Sequence, residues 1–260
     1  MTKLVVVGGG KMGEALLGGL LATGWVDARD VVVVEPVAAR RNELAARYVG
    51  LGVASEPVSA DGAIVAVKPQ LVAEVCTQLG ALGVARVLSI AAGVRLATIE
   101  AALPPDTAVV RAMPNTPSLV GMGAAAIAGG SSVGEDDLVW AEEILGAVGT
   151  VVRITEDKID AVTGLSGSGP AYVFLIAEAL IDAGVLVGLP REVAAELAIQ
   201  TLRGSAELLA TGTPPAEARA NVTSPGGTTA AGVRALEAGG VRAAVTDAVV
   251  AAVARAGELG

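Results

Sequence analysis

The sequence predicts a doubly wound α/β sheet followed by an all-helical C-terminal domain. In the first half, short apolar runs rich in valine alternate with segments of helical periodicity, the order typical of parallel strands joined by helices. After about residue 155 only helical patterns follow, separated by Gly-Ser-Gly and Pro-Gly breaks. We therefore expect two domains, residues 1–155 and 156–260, without internal repeats.

Each element follows from its own local pattern. Apolar runs bounded by glycine, proline or charged residues are predicted as the strands Leu4–Val7, Val31–Glu35, Leu51–Ala54, Ala63–Val67, Arg86–Ile90, Thr107–Ala112, Ala124–Ala128 and Thr150–Ile154. Helical periodicity between them predicts the helices Lys11–Ala22, Ala38–Tyr48, Gln70–Leu79, Leu96–Leu103 and Glu135–Leu145. The second domain is predicted to contain the helices Lys158–Leu165, Pro170–Val187, Arg191–Ala210, Pro214–Asn221, Pro225–Ala238 and Val241–Leu259.

A glycine motif lies between the first strand and the first helix. Gly8-x-Gly10-x-x-Gly13 has the spacing of a dinucleotide-binding loop in a Rossmann-type sheet. Gly8 permits the tight turn, Gly10 lets a pyrophosphate approach the backbone, and Gly13 lets the helix pack close to the strand. The motif therefore predicts a bound dinucleotide. Because the chain has no histidine and must use other groups for its chemistry, a nicotinamide cofactor, which carries the hydride itself, is favoured.

An acidic residue ends the second strand. Glu35, 22 residues after Gly13, would accept hydrogen bonds from a ribose 2′-hydroxyl and repel a 2′-phosphate, which favours NAD. Arg40 and Arg41 follow closely and would neutralise that phosphate if the loop folds back, unless they form only a solvated helix face. The sequence leaves the choice between NADH and NADPH open.

Composition restricts the possible chemistry. The chain has no histidine, one cysteine and no acidic cluster with metal-ligand spacing, so we expect no metal site and no disulfide within the chain. The net charge of −9 and scattered arginines argue against nucleic acid as a partner. Hydrophobic residues make up 53% of the chain, but charges such as Glu178 and Asp182 interrupt the longest apolar stretches, so we predict no membrane span. Because the sequence runs directly into a strand, it leaves no room for a signal peptide. Together with the single cysteine, this predicts a location in the cytoplasm.

The segment Thr223-Ser224-Pro225-Gly226-Gly227-Thr228-Thr229 precedes an alanine-rich helix. If Pro225 is the first helical residue, the N–H groups that follow it have no intrahelical acceptor and can bind a carboxylate. The hydroxyls of Ser224, Thr228 and Thr229 add further hydrogen-bonding groups. The alternative is a helix start with ordinary serine and threonine capping and no ligand.

Six motifs in this order extend over nearly the whole chain: GGGKMGEAL, AVKP, SIAAG, RAMPNTP, SGSGPAYVF and TSPGGTTAAG. Together they resemble pyrroline-5-carboxylate reductase. The resemblance implies hydride transfer from NADPH or NADH to the imine carbon of 1-pyrroline-5-carboxylate, the last step of proline biosynthesis. It also implies a helical domain that pairs between two subunits in a homodimer, and dimers that assemble into larger rings. The family usually prefers NADPH, a preference that Glu35 opposes.

The resemblance also assigns candidate site residues. The pyrophosphate would be held by Val7, Gly8, Gly9, Gly10, Lys11 and Met12. The nucleotide path would be lined by Ala66, Val67, Lys68, Pro69, Ala91, Ala92 and Gly93, with Asn115 near the nicotinamide. The substrate would be bound by Ser224, Gly226, Gly227, Thr228 and Thr229. We expect the Thr229 hydroxyl to hydrogen-bond the imine nitrogen as the catalytic contact, orienting an iminium protonated in water or relaying a solvent proton.

Other assignments remain open at this stage. Lys68 would either act as an acid or position the cofactor, and Arg111 would pair with a carboxylate. A hydroxyacid dehydrogenase of similar plan would need a lysine on the helical domain, where Lys158 is the only one, and not on the expected helix. A nucleotide sensor without catalysis would not need the carboxylate site that the Ser224 segment offers.

Overall fold

The computed structural model describes residues 2–259, which form two compact units. The first unit comprises residues 2–168 together with residues 252–259, and the second comprises residues 169–251. Along the chain, the second unit is thus inserted between two parts of the first. The domain boundary predicted between residues 155 and 156 does not coincide with these limits and stays a prediction.

An eight-stranded mixed sheet forms the centre of the first unit. Its order is β3-β2-β1-β4-β5-β6-β7-β8, and the strands are β1 Leu4–Val7, β2 Val31–Val34, β3 Gly52–Ala54, β4 Gly62–Val65, β5 Arg86–Ser89, β6 Ala108–Met113, β7 Gly123–Gly129 and β8 Gly149–Arg153. Neighbouring strands from β3 through β6 are parallel, β7 runs antiparallel to β6, and β8 is parallel to β7. The strand order reverses between β1 and β4, which is where open α/β sheets bind ligands at the carboxyl ends of their strands.

Helices of the first unit cover both faces of this sheet. They are α1 Lys11–Ala22, α2 Ala38–Arg47, α3 Val72–Ala81, α4 Leu96–Glu100, α5 Glu135–Gly146 and α6 Ile159–Val162. Alternate residues of β1 divide between two cores: Leu4 and Val6 join one apolar cluster, while Val5 and Val7 join the other. This alternation is the period of two expected for a strand buried on both faces.

The second unit contains α7 Gly169–Leu186, α8 Arg191–Ala210, α9 Pro215–Asn221 and α10 Thr228–Ala238, and the chain returns to the first unit within α11 Val241–Leu259. Helices α7 and α8 pack closely, because a Cβ on Gly184 would lie 2.8 Å from the Cβ of Ala194. Between residues 169 and 251, all of which the structure describes, only Ala194 is buried. The unit therefore leaves most of its apolar side chains uncovered in a single chain.

The predicted fold class is confirmed, and four predicted helices need correction. Helix α4 ends at Glu100 rather than Leu103. The Leu103 N–H donates to the Glu100 carbonyl at 3.1 Å, a bond of turn type that spans three residues. Pro104 follows at once, and a proline disfavours the helical conformation in the residue before it. The helix therefore cannot continue as far as its apolar pattern suggests.

Two further helices begin or end differently from the prediction. The helix predicted from Gln70 starts with a 3₁₀ turn, Pro69–Leu71, and α3 follows from Val72. The helix predicted over Lys158–Leu165 is the short α6, which continues into a π turn, Thr163–Gly167. Such π turns frequently occur at functional sites.

The fourth correction concerns Pro225, which does not begin a helix. The Gly227 N–H donates to the Ser224 carbonyl at 3.0 Å, and Gly226 has φ +72°, so residues 224–227 form a turn with proline second and glycine third. Proline and glycine suit these two positions of a type II turn. Helix α10 then begins at Thr228 with Gly227 as its N-cap.

Candidate active site

The glycine loop after β1 has the geometry that a dinucleotide requires. Gly8 has φ +114°, and a Cβ there would lie 2.5 Å from the Ala66 carbonyl oxygen. A Cβ on Gly13 would overlap the Gly8 carbonyl oxygen, so strand and helix approach too closely for any side chain. A Cβ on Gly10 would meet nothing within 4 Å. The open space at Gly10 is where a pyrophosphate can approach the backbone.

Helix α1 directs N–H groups toward that space. Gly10 is its N-cap, and the Glu14 N–H donates to the Gly10 carbonyl at 2.9 Å. The N–H groups of Lys11, Met12 and Gly13 precede this bond and have no intrahelical acceptor. Together with the helix dipole they favour a bound anion, so the residues fit a dinucleotide pyrophosphate.

A cavity of about 330 Å³ continues from this loop along the carboxyl ends of the parallel strands. Its volume is within the range of small-ligand sites. It is lined by Met12, Ala66, Val67, Ile90, Ala91, Ala92, Met113, Pro114, Asn115, Thr116 and Gly167. The structure therefore brings the predicted AVKP, SIAAG and RAMPNTP motifs together around one cavity.

Asn115 ties three segments of the cavity wall together. Its Nδ2 donates to the Ser166 carbonyl at 3.0 Å, and its Oδ1 accepts from the Ala124 N–H at 2.9 Å. The side chain is nearly buried, with 9% of the residue's surface exposed. Asn115 thus fixes the π turn that contains Gly167 against the strand ends.

The remaining residues of the predicted nucleotide path differ in exposure. Lys68 is exposed and precedes the 3₁₀ turn that begins at Pro69. Ala91 is buried, and Gly93 has φ +75° with its Cβ position 3.3 Å from the Leu259 carbonyl oxygen. The end of α11 therefore covers the loop that contains Gly93.

Arg111 pairs with a carboxylate, as the sequence suggested. The buried guanidinium donates from Nη1 to Glu156 Oε1 at 2.9 Å. The same oxygen accepts the Leu96 N–H at 2.6 Å, at the start of α4. Glu156 thereby joins β6 to the helix that follows the Ala91 to Gly93 loop.

Glu35 lies against the glycine loop. Its Oε1 accepts the Val37 N–H at 2.9 Å, and its Oε2 is 3.1 Å from the Cβ position of Gly9. Arg40 donates from Nε to the Gly9 carbonyl at 2.9 Å. Glu35 and Arg40, two of the three residues considered for cofactor choice, are thus placed beside the same glycine.

The candidate substrate segment forms the start of α10 in the second unit. The Ala231 N–H makes the first intrahelical bond, to the Gly227 carbonyl at 3.2 Å. The N–H groups of Thr228, Thr229 and Ala230 precede it and have no intrahelical acceptor. Helix α10 has no side-chain cap. The turn therefore offers several donors to a carboxylate, at a helix start three residues later than the sequence predicted.

The acidic side chains and the cysteine of the described residues are arranged as follows. No group of three or more acidic, cysteine or histidine side chains in residues 2–259 is placed to hold a metal ion. Cys76 is fully buried, and this burial raises the pKa of its thiol to about 11. The thiolate is therefore scarce at neutral pH.

The sheet topology and the glycine loop define a dinucleotide-binding protein with an inserted helical unit. A family model described as pyrroline-5-carboxylate reductase dimerisation matches residues 156–259, and one described as NADP oxidoreductase, coenzyme F420-dependent, matches residues 3–93. A Synechocystis pyrroline-5-carboxylate reductase is 47% identical over 99% of this chain and 98% of the relative. The chain belongs to the pyrroline-5-carboxylate reductase family.

Solved structures agree with this assignment. A pyrroline-5-carboxylate reductase from Coxiella burnetii superposes with a TM-score of 0.93 at 36% identity, covering 100% of this chain and 98% of the other. A Plasmodium falciparum pyrroline carboxylate reductase with NADP bound gives a TM-score of 0.86 at 31% identity, with 100% and 98% coverage. The resemblance inferred from the six motifs is confirmed.

Several residues of the site were not assigned from the sequence, although Met113 and Gly167 lie within two of the six motifs. Met113 and Gly167 line the cavity, and a Cβ on Gly167 would lie 2.6 Å from Met113 Cε. Glu156 reaches Arg111 from 45 residues away. Only the tertiary fold brings such pairs together, so local periodicity does not reveal them.

Proposed function

We propose that this protein reduces 1-pyrroline-5-carboxylate to L-proline with NADPH or NADH, the last step of proline biosynthesis. The observation that carries the proposal is the full-length relationship at 47% identity to a pyrroline-5-carboxylate reductase. The glycine loop and the adjoining cavity support it, because they fit a dinucleotide at the point where the strand order reverses.

The nucleotide-binding residues position the cofactor. The bound cofactor supplies the hydride that is transferred to the imine carbon. The N–H groups at the start of α1 bind its pyrophosphate, and the cavity wall formed by Ala91, Ala92 and Asn115 excludes water from the nicotinamide. Lys68 follows the lining residue Val67, and we assign it a positioning role.

The turn from Ser224 to Gly227 and the start of α10 bind the substrate. The N–H groups of the first helical turn and the Ser224 and Thr228 hydroxyls hold its carboxylate. The Thr229 hydroxyl hydrogen-bonds the ring nitrogen. Because a hydroxyl without a neighbouring base is a weak acid, the nitrogen takes its proton from water, directly or relayed through Thr229.

An assay of the purified protein tests this function. We expect the absorbance of the reduced nicotinamide to fall when 1-pyrroline-5-carboxylate is added, with L-proline as the product. Without substrate the absorbance should stay constant. A 2-hydroxy acid with oxidised cofactor should give no rise in absorbance. Reaction with the hydroxy acid alone would indicate a hydroxyacid dehydrogenase, and binding without turnover would indicate a sensor.

We further propose that the helical segment forms a homodimer in the cytoplasm, and that dimers assemble into rings. The family model that matches residues 156–259 is that of the pyrroline-5-carboxylate reductase dimerisation domain. This match supports pairing through this part of the chain. Residues 156–186 are long and apolar enough to cross a membrane by length and composition, and none of their apolar window is buried in a single chain. We assign this uncovered surface to a partner subunit rather than to lipid.

A further inference from the structure

Three charged side chains form a cluster behind the glycine loop. Arg40 and Arg47, both on α2, meet Glu14 in the first turn of α1. Arg47 Nη1 lies 2.8 Å from Glu14 Oε1, and Arg40 Nη2 pairs with Glu14 Oε2. Both carboxylate oxygens of Glu14 are therefore occupied by guanidinium groups.

Arg40 has the position from which a guanidinium can bind a ribose 2′-phosphate, just after β2. Its three nitrogens, however, are all engaged within the protein. Nε donates to the Gly9 carbonyl at 2.9 Å, Nη1 to Glu43 at 3.0 Å, and Nη2 to Glu14. Its side chain is 29% exposed and that of Glu14 is 16% exposed, so water screens their pairing only in part.

The other polar groups around the ribose position are also engaged in hydrogen bonds within the protein. Arg41 Nη1 donates to the carbonyls of Glu35 and Pro36 at 2.6 and 2.8 Å. Glu35 is fixed beside Gly9 by its bond to the Val37 N–H. The region therefore presents a carboxylate to the ribose while its arginines are used inside the protein.

We propose that Glu14 is a specificity-determining residue that makes this protein prefer NADH over NADPH. The inference rests on the proposed use of a nicotinamide cofactor. Glu14 pairs with both Arg40 and Arg47. With Glu43 it engages both Nη atoms of Arg40, whose Nε donates to the Gly9 carbonyl, so Arg40 is not free to bind a 2′-phosphate. A ribose with a free 2′-hydroxyl needs no such cation and can donate to Glu35.

Direct binding measurements test this inference. Dissociation constants for NADH and NADPH are measured by nicotinamide fluorescence for the wild type and for Glu14→Gln. We expect the wild type to bind NADH more tightly. Glu14→Gln should strengthen NADPH binding roughly tenfold and change NADH binding by less than about twofold, because one negative charge near the phosphate is removed while the side-chain shape is kept.

Glu43→Gln is the matched control. Glu43 also pairs with Arg40, but its side chain is 65% exposed, so its charge is well screened. We expect it to leave the ratio of the two dissociation constants within about twofold of the wild type. An equal shift in both variants would show a general charge effect and overturn the assignment to Glu14.

The inference would be overturned if the wild type binds NADPH more tightly than NADH, or if the ratio of the two dissociation constants is unchanged in Glu14→Gln. It would also be overturned if that variant binds both cofactors equally more weakly, which is the result expected of a structural role. The same comparison with adenosine 2′-monophosphate and adenosine 5′-monophosphate isolates the adenosine end. Because these measurements need no imine, they remain informative even if the proposed reductase activity fails.

Discussion

At the scale of single residues, Asn115 shows the limit of inference from motifs. The family resemblance placed it near the nicotinamide, and it does line the cavity. Its amide is nevertheless used for contacts to Ser166 and Ala124. Such contacts depend on which segments meet in space, so the sequence does not reveal the bonds of Asn115, and its place near the nicotinamide stays a prediction.

Replacing Asn115 with Asp should destabilise the protein. The carboxylate keeps the acceptor for the Ala124 N–H but loses the donor to Ser166 and faces that carbonyl. We expect a loss of about 1–3 kcal/mol in the free energy of unfolding, measured by urea denaturation. Asn115→Ala, which removes both bonds, should also lower the denaturation midpoint. An unchanged denaturation midpoint for both variants would contradict the role of Asn115 in linking the Ser166 and Ala124 segments.

Thr229→Val tests the proposed catalytic contact. The substitution keeps the shape of the side chain and removes its donor. If the bond to the ring nitrogen is stronger in the transition state, kcat should fall about 10²-fold, roughly 2.7 kcal/mol, with little change in KM. Ser224→Ala should mainly raise KM, because a carboxylate contact is made in both states. A kcat within about threefold of the wild type would exclude Thr229 from catalysis.

At the scale of elements, the sequence located the strands well because each is a short apolar run with clear ends. The first strand, Leu4–Val7, matches its prediction fully, and the others differ by one or two residues at one or both ends. The predicted start of α10 was wrong because Pro-Gly suits both a first helical turn and a type II turn. The bond from Gly227 back to Ser224 decides between them, and it is visible only in the structure.

Gly226→Ala should strain that turn. Gly226 has φ +72° and open space around its Cβ position, so the cost arises from the backbone alone, about 1 kcal/mol. We expect lower thermal stability together with a higher KM for the imine. Gly240→Ala is the matched control, since Gly240 has φ +74° and equally open space but lies at the other end of α10. Gly240→Ala should lower thermal stability to a similar extent without changing KM. If both variants raise KM equally, the result would count against a substrate role for the turn.

At the scale of the whole molecule, the helical unit does not bury its own apolar side chains. Phe174, Leu186 and Leu208 have 62%, 87% and 65% of their surfaces exposed in a single chain. Exposed apolar surface of this extent indicates an interface. The family resemblance implied pairing through this domain, but the sequence did not indicate which side chains form the surface.

Sedimentation at micromolar concentration should therefore show a dimer or larger assembly and no folded monomer. Phe174→Asp should dissociate or unfold the assembly, because it places a charge at the interface. Val49→Asp is the control, since Val49 is 89% exposed in the first unit and should leave the assembly intact. A folded monomer of the wild type, or extraction only with detergent, would contradict pairing through the helical unit.

The division of the first unit into two stretches of chain has a consequence for its synthesis. Residues 252–259 belong to that unit, and Leu259 lies against the Gly93 loop. On the ribosome these residues emerge only after the intervening segment 169–251 has been made, which takes roughly 4–17 s at ordinary elongation rates. During that interval the nascent sheet lacks the contact between Leu259 and the Gly93 loop, so this part of the nucleotide-binding edge is completed only after residues 252–259 have been made.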